Sequence, residues 1–206
     1  MRLHYLPGTA AMAPHAALAE IGEPYELVRV ERDEDGRVSD EYLALNPWGK
    51  IPTLEDGDLV LTESAAICLH LAERFPDVRL APPPGTRERS ELYRWLMYLT
   101  NTVQPAQLRY FYPDRYGTEG VKEAAAAELA AHYDLIDGQL TGHEWLVGEG
   151  RSVADLFLHM LTRWGRFLEP PAWERPNLRA HFLRTLDLPG VRKMIEEQGL
   201  ELPELH

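Results

Sequence analysis

Asn46-Pro47-Trp48-Gly49-Lys50-Ile51-Pro52-Thr53-Leu54-Glu55-Asp56-Gly57-Asp58-Leu59-Val60-Leu61-Thr62-Glu63-Ser64 is the stretch on which the fold turns. Ile51-Pro52 enters a strand, and a cis peptide there would leave the Ile51 backbone groups facing solvent, free to pair with an extended ligand. Thr53-Leu54-Glu55 and Leu59-Val60-Leu61 flank the turn pair Asp56-Gly57 and read as a tight hairpin. Glu63-Ser64 opens the helix that follows, where free N–H groups and the positive end of the dipole suit a carboxylate. The Glu63 carboxylate beside it suits an ammonium group. A backbone ladder, an anion seat and a cation seat within one short region meet the needs of a small zwitterionic peptide.

Working outward, residues 2–75 alternate short strand-like runs with helical ones. Leu3-His4-Tyr5-Leu6 and Tyr25-Glu26-Leu27-Val28-Arg29-Val30 read as strands, with a helix at about 11–21 between them. A short helix over 39–45 precedes the hairpin. A helix over 64–75 follows it, with the apolar stripe Ile67, Cys68, Leu71, Ala72 and Phe75. This βαβαββα order predicts an α/β, thioredoxin-like domain over 1–78, a mixed sheet with helices on both faces. Pro76 stops the last helix, and Ala81-Pro82-Pro83-Pro84-Gly85 is the clearest linker. Beyond it the stripes Leu92/Trp95/Leu96/Leu99/Val103, Leu129/Tyr133/Ile136/Leu140 and Leu156/Met160/Leu161/Trp164/Leu168 all repeat at helical spacing. They predict an all-α helical bundle domain over 86–206. Ser152-Val153-Ala154-Asp155 has the form of a capping box, with a role in folding rather than chemistry.

The chain has 206 residues, 21 basic against 33 acidic, for a net charge of −12. That excess disfavours nucleic acid and anionic membrane surfaces, which need positive neutralising charge. The single cysteine, Cys68, excludes an internal disulfide framework and fits a reducing cytoplasm. Its place in an apolar stripe reads as core. The eight histidines are scattered without ligand spacing, so no metal is expected. No apolar run approaches ~18 residues and no basic leader is seen, so a membrane span or signal peptide is not expected.

The hairpin region, with Met1-Arg2-Leu3-His4-Tyr5-Leu6-Pro7-Gly8, Ala13-Pro14-His15 and Ser152-Val153-Ala154-Asp155-Leu156, resembles the glutathione transferase superfamily, in particular its bacterial beta class. The similarity runs from Met1 to about Leu168. It implies glutathione as co-substrate, with Trp48, Lys50, Ile51, Pro52, Glu63 and Ser64 holding it. It also implies a second-substrate pocket, for which Leu6, Gln104, Leu108 and Tyr112 are the candidates, and a homodimer.

Such enzymes work by stabilising the glutathione thiolate, the nucleophilic form of the thiol. The cysteine typical of the beta class corresponds here to Ala10 and the serine that often follows to Ala11, neither of which donates from its side chain. Thr9 and Tyr5 are therefore the catalytic candidates. His15 and the backbone N–H groups at the helix start are further donors. The class's His-Lys pair corresponds to Gln104 and Pro105, and Pro105 is expected to kink or end its helix. Leu108-Arg109-Tyr110-Phe111-Tyr112-Pro113-Asp114-Arg115-Tyr116 would supply an aromatic wall, with Arg109 or Arg115 for an acidic group. The function expected is conjugation of glutathione to small hydrophobic electrophiles. The alternatives are a glutathione-dependent isomerase, dehalogenase or peroxidase, and a non-catalytic binding protein of the same fold. The absent cysteine argues against thiol–disulfide exchange.

Overall fold

The computed structural model describes residues 1–117 and 119–202, so positions 118 and 203–206 of the expected second domain lie outside the described residues. Short strands come first. β1 (Arg2–Tyr5) pairs in parallel with β2 (Glu26–Arg29) and antiparallel with β3 (Thr53–Asp56). β3 in turn forms a hairpin with β4 (Leu59–Thr62), giving the sheet order β2-β1-β3-β4. Gly57 makes the hairpin turn at φ +65°, a left-handed conformation that suits a residue without Cβ.

Register then sorts the side chains. Leu3 faces Leu54 across the β1–β3 ladder and both are fully buried, while His4 faces Thr53 on the opposite side of the sheet. Tyr42, on the short helix α2 (Asp40–Leu45), covers that second side: its ring centroid lies 5.7 Å from His4 and its hydroxyl 2.9 Å from Thr53 Oγ1. The Leu3–Leu54 face is left to α1 (Met12–Ile21) and α3 (Ser64–Arg74), which pack on each other. Ser39 caps α2 by accepting the Tyr42 N–H.

The chain divides into two units, Met1–Val78 together with the segment from Leu188 onward, and Arg79–Asp187. The expected domain over 86–206 differs from this division. The last helix, α9 (Pro189–Glu197), packs on α1 within the first unit. Gly190 makes this possible, since a Cβ there would come within 2.5 Å of the Glu20 backbone nitrogen and 2.7 Å of the Ala16 carbonyl oxygen. The Gly190 N–H also donates to Glu20 Oε1 at 2.6 Å.

The second unit is helical: α4 (Arg87–Tyr98), α5 (Gln104–Phe111), α6 (Val121–Gln139), α7 (Val153–Trp164) and α8 (Pro176–Leu186). The expected helix end at Pro105 is not seen as a break. α4 runs into α5 through a π turn at Leu99–Val103, in which the Gln104 N–H reaches back five residues to the Leu99 carbonyl. The wider turn re-routes the ladder just before the residue that cannot donate, so helix direction continues through a local bulge. The core stripes hold for the most part, with Leu92, Trp95, Leu96, Leu99, Val103, Leu129, Tyr133, Ile136, Leu140, Leu156, Met160 and Leu161 all buried, while Trp164 is only half-buried and Leu168 lies past the end of α7. At the start of α7 the capping box is formed, with the Ser152 N–H donating to Asp155 Oδ2 at 2.8 Å.

Candidate functional site

The hairpin entry is built around one carbonyl. The Ile51–Pro52 peptide is cis, and the carbonyl just before it, that of Lys50, accepts from the Tyr42 hydroxyl at 2.6 Å and from Asn46 Nδ2 at 2.7 Å. Asn46 also donates to Thr53 Oγ1, while its own oxygen accepts the Trp48 N–H at 3.2 Å. Trp48 is 83% exposed and Lys50 is exposed too, whereas Pro52 is buried and Ile51 half-buried. The segment 46–53 is thus pinned from beneath by two buried polar residues and offers its outer edge to solvent. Tyr42 was not among the candidates; its hydroxyl meets Lys50 only through the tertiary fold, and no local motif marks it.

At the other end of the hairpin, Glu63 sits at φ +68°, a rare conformation for a residue with a side chain, and its carbonyl accepts the Ile67 N–H at 2.9 Å. Glu63 is exposed and Ser64, the first residue of α3, is buried. The strained corner turns the chain so that Glu63 projects outward while the helix start lies at the sheet edge. Backbone strain of this kind, of order 1–3 kcal/mol, is characteristic of ligand clamps. Cys68 is fully buried on the same helix, and burial pushes its thiol pKa up, so it is inert core.

The turn before α1 holds the candidate sulfur site. Thr9 Oγ1 donates to the Leu6 carbonyl at 2.7 Å and accepts the Ala11 N–H at a long 3.4 Å, so its one proton is already placed. α1 begins at Met12 with Ala11 as N-cap and no side chain capping it, and its first turn carries no acid. Tyr5 ends β1 with its ring edge-on to His15, centroids 6.3 Å apart. His15 is fully buried: Nε2 lies 2.8 Å from Glu197 Oε2 and Nδ1 lies 3.0 Å from Gln198 Nε2. Burial lowers the His15 pKa against the opposing pull of Glu197. These partners come from the far end of the chain, which sequence reading left without a role. The one signal pointing to them is Gly190 inside a helical pattern, a residue that costs about 1 kcal/mol there and so marks close packing.

Of the second-substrate candidates, Leu6 is half-buried in the first unit, while Gln104, Leu108 and Tyr112 belong to α5 and its C-terminal end in the second. Tyr112 is exposed, with the Arg115 guanidinium 4.2 Å from its ring centroid. Arg109 is not free for a ligand acid, because Glu128 already pairs with it. Among the described residues, no group of three or more His, Cys, Asp or Glu is arranged to hold a metal ion. No helix there is long and apolar enough to cross a membrane.

Comparison with known proteins agrees with this geometry. Residues 1–73 match the glutathione S-transferase N-terminal domain and residues 98–189 the C-terminal domain. A glutathione S-transferase (GstA) of Escherichia coli O157:H7 is 30% identical over 98% of this chain and all of its own. A beta class glutathione S-transferase of Sphingomonas chungbukensis superposes with a TM-score of 0.87 at 33% identity, over 98% of this chain and all of the other. A sphingomonad glutathione S-transferase complexed with glutathione gives the same score at 32% identity, again over 98% and 100% of the two chains. With a thioredoxin-like sheet, a helical second unit and full-length relatives of this kind, the chain belongs to the glutathione S-transferase family.

Proposed function

We propose that this protein is a cytoplasmic, homodimeric glutathione S-transferase that conjugates glutathione to small hydrophobic electrophiles and so serves in detoxification. One observation supports it above the others: the outward edge at Ile51-Pro52, held through Lys50 by Tyr42 and Asn46, and the strained Glu63-Ser64 corner flank the open end of one hairpin, where Thr53 pairs with Thr62. In this reading the tripeptide lies along that edge. The Ile51 backbone pairs with its cysteinyl unit, and the start of α3 at Ser64 takes the γ-glutamyl carboxylate. Glu63 takes the ammonium group, while Trp48 and Lys50 flank the glycine end beside Pro52. The sulfur faces the turn before α1, where the positive end of the helix dipole and the backbone N–H groups at the helix start favour the thiolate.

Thr9 and Tyr5 are the proposed hydroxyl donors. Donation from Thr9 to sulfur requires its proton to leave the Leu6 carbonyl, so the backbone carries the larger share in this geometry. Gln104, Leu108 and Tyr112 of the second unit are proposed for the electrophile, and Leu6 of the first is proposed as a further candidate. Loss of side-chain donors at Ala10 and Ala11 is the observation that favours the second reading, a glutathione-binding protein without turnover. The test is retention on immobilised glutathione together with turnover of an aryl-halide electrophile. Retention with turnover is the expected result, retention alone selects the second reading, and no retention refutes both. Thr9→Val and Tyr5→Phe then assign the hydroxyls by the rate each removes.

A further inference from the structure

The last helix reaches the turn before α1 through a relay whose direction is fixed at every step. The Tyr25 hydroxyl donates to Glu197 Oε2 at 2.6 Å, and His15 Nε2 lies 2.8 Å from the same oxygen. Burial alone would raise the Glu197 carboxyl, but hydrogen bonds from Tyr25 and His15 outweigh it and hold the group ionised. A carboxylate only accepts, so Nε2 of His15 carries the proton. A neutral His15 then presents Nδ1 as an acceptor, and Gln198 Nε2 donates to it at 3.0 Å. That orients the Gln198 amide so that its oxygen accepts the Gly8 N–H at 3.0 Å. Gln198 and His15 are both buried. Gly8 itself is at φ +72°, and a Cβ there would touch Leu200 at 3.7 Å, so the same C-terminal segment lies against the turn.

We infer that Gln198, oriented by Glu197 through His15, is a positioning residue for the Gly8-Thr9-Ala10 turn, and that the C-terminal helix thereby sets how well the turn stabilises a thiolate. The inference rests on the proposed placement of glutathione sulfur at this turn. Its logic follows from Ala10 and Ala11. A side-chain donor adjusts to its target by rotation, whereas a backbone N–H points wherever the turn puts it. The Gln198 oxygen anchors the first residue of that turn, and the next residue, Thr9, accepts the Ala11 N–H on its hydroxyl and the Met12 N–H on its carbonyl where the helix opens.

Gln198→Met removes both hydrogen bonds and keeps the side-chain volume, and Glu197→Gln removes the charge that fixes the His15 tautomer. The thiolate absorbance of bound glutathione is followed against pH in the wild-type protein and both variants, with the glutathione Kd and kcat/KM for an aryl halide. The expected result is an upward shift of about one pH unit in the thiolate midpoint of Gln198→Met, matched by a roughly tenfold lower kcat/KM near neutral pH. Glu197→Gln shifts in the same direction by less. The Kd changes under twofold in both variants, because the peptide is held at the hairpin and Glu63-Ser64. A merely structural loss would weaken binding and rate together and leave the midpoint in place. A folded variant with an unmoved midpoint overturns the inference alone. A wild-type protein that binds glutathione without a thiolate band, or not at all, overturns both the sulfur placement and the inference built on it.

Discussion

Asp155→Ala separates an ordinary helix cap from a buried hub. Asp155 is fully buried and accepts four hydrogen bonds: the Ser152 N–H and hydroxyl at 2.8 Å each on Oδ2, and the Leu146 N–H and His181 Nε2 at 2.9 Å each on Oδ1. An exposed cap is worth about 1 kcal/mol. Truncation here leaves two backbone N–H groups, on Leu146 and Ser152, that sit almost out of reach of water. It also removes the only described partner of the His181 ring nitrogens, since Nδ1 has none. Each orphaned buried donor costs about 1–3 kcal/mol, and breaking a buried charged network typically costs about 3–5 kcal/mol in total because the terms do not add. The expected loss is therefore about 4 kcal/mol, which lowers the urea midpoint by roughly 1.5 M at an m-value of ~2.5 kcal/mol/M. Asp155→Asn keeps Oδ1 but sets an amide N–H against the Ser152 N–H, and about half the loss is expected. Equilibrium urea unfolding followed by tryptophan fluorescence measures both. A loss of only about 1 kcal/mol for Asp155→Ala would refute the hub and leave a plain cap.

Two further outcomes follow from buried groups. His159, fully buried and stacked on Phe182, has its pKa lowered to about 3, by burial first and then by His181 and Arg163. The unfolded chain takes up its proton near pH 6.5 and the folded chain does not, so the stability it protects is complete above pH 6.5 and falls as pH drops from there toward about 3. Between pH 7 and pH 5 this amounts to roughly 2 kcal/mol, His15 adds in the same sense, and His159→Gln flattens the urea-midpoint profile over that window. A profile equally steep in His159→Gln assigns the slope to other groups. In Tyr42→Phe, the Lys50 carbonyl loses its 2.6 Å partner but keeps Asn46. One such hydrogen bond is worth about 0.5–1.5 kcal/mol, so the KM for glutathione rises roughly two- to twelvefold while kcat holds. A fall in kcat with unchanged KM contradicts a role confined to the peptide seat.

Local pattern carried most of the fold. The strand at 3–5 and the break at Pro76 are properties of neighbouring residues, and each became the element it predicts; the hairpin turn fell one residue later than expected, at Gly57-Asp58, because Asp56 still pairs with Leu59 in the ladder. The cis strand entry at Ile51-Pro52 and the helix start at Glu63-Ser64 were legible for the same reason, since an X-Pro pair and a helix-opening Glu-Ser pair declare their backbone geometry within a few residues. What stayed hidden depends on contacts made far along the chain. His15 and Glu197 are 182 residues apart, and nothing near either one names the other. Tyr42 reads as an apolar anchor of a short helix, and only the register of β3 brings Thr53 and the Lys50 carbonyl to its hydroxyl. The π turn at Leu99–Val103 escaped because it buries the same stripe that a regular helix would bury. Thr9 was the nearest hydroxyl in sequence, yet proximity said nothing of the Leu6 carbonyl that takes its proton.

The alanines at 10 and 11 connect these hidden contacts to chemistry. In a site with a side-chain donor, one rotamer sets the distance to sulfur, and packing around that single residue suffices to hold it. When the donors are main-chain N–H groups, the whole turn is the catalytic instrument, and displacement of a donor by a fraction of an ångström weakens the stabilisation steeply. Such a turn needs an external brace, and in this chain the described brace on Gly8 is the buried amide of Gln198, itself aligned through His15 by a carboxylate on the last helix. The close approach of α9 to α1 at Gly190 fixes where that carboxylate stands. Under the proposed placement of the sulfur, control over the thiol's acidity rests on the packing of that last helix rather than on a side chain beside the sulfur.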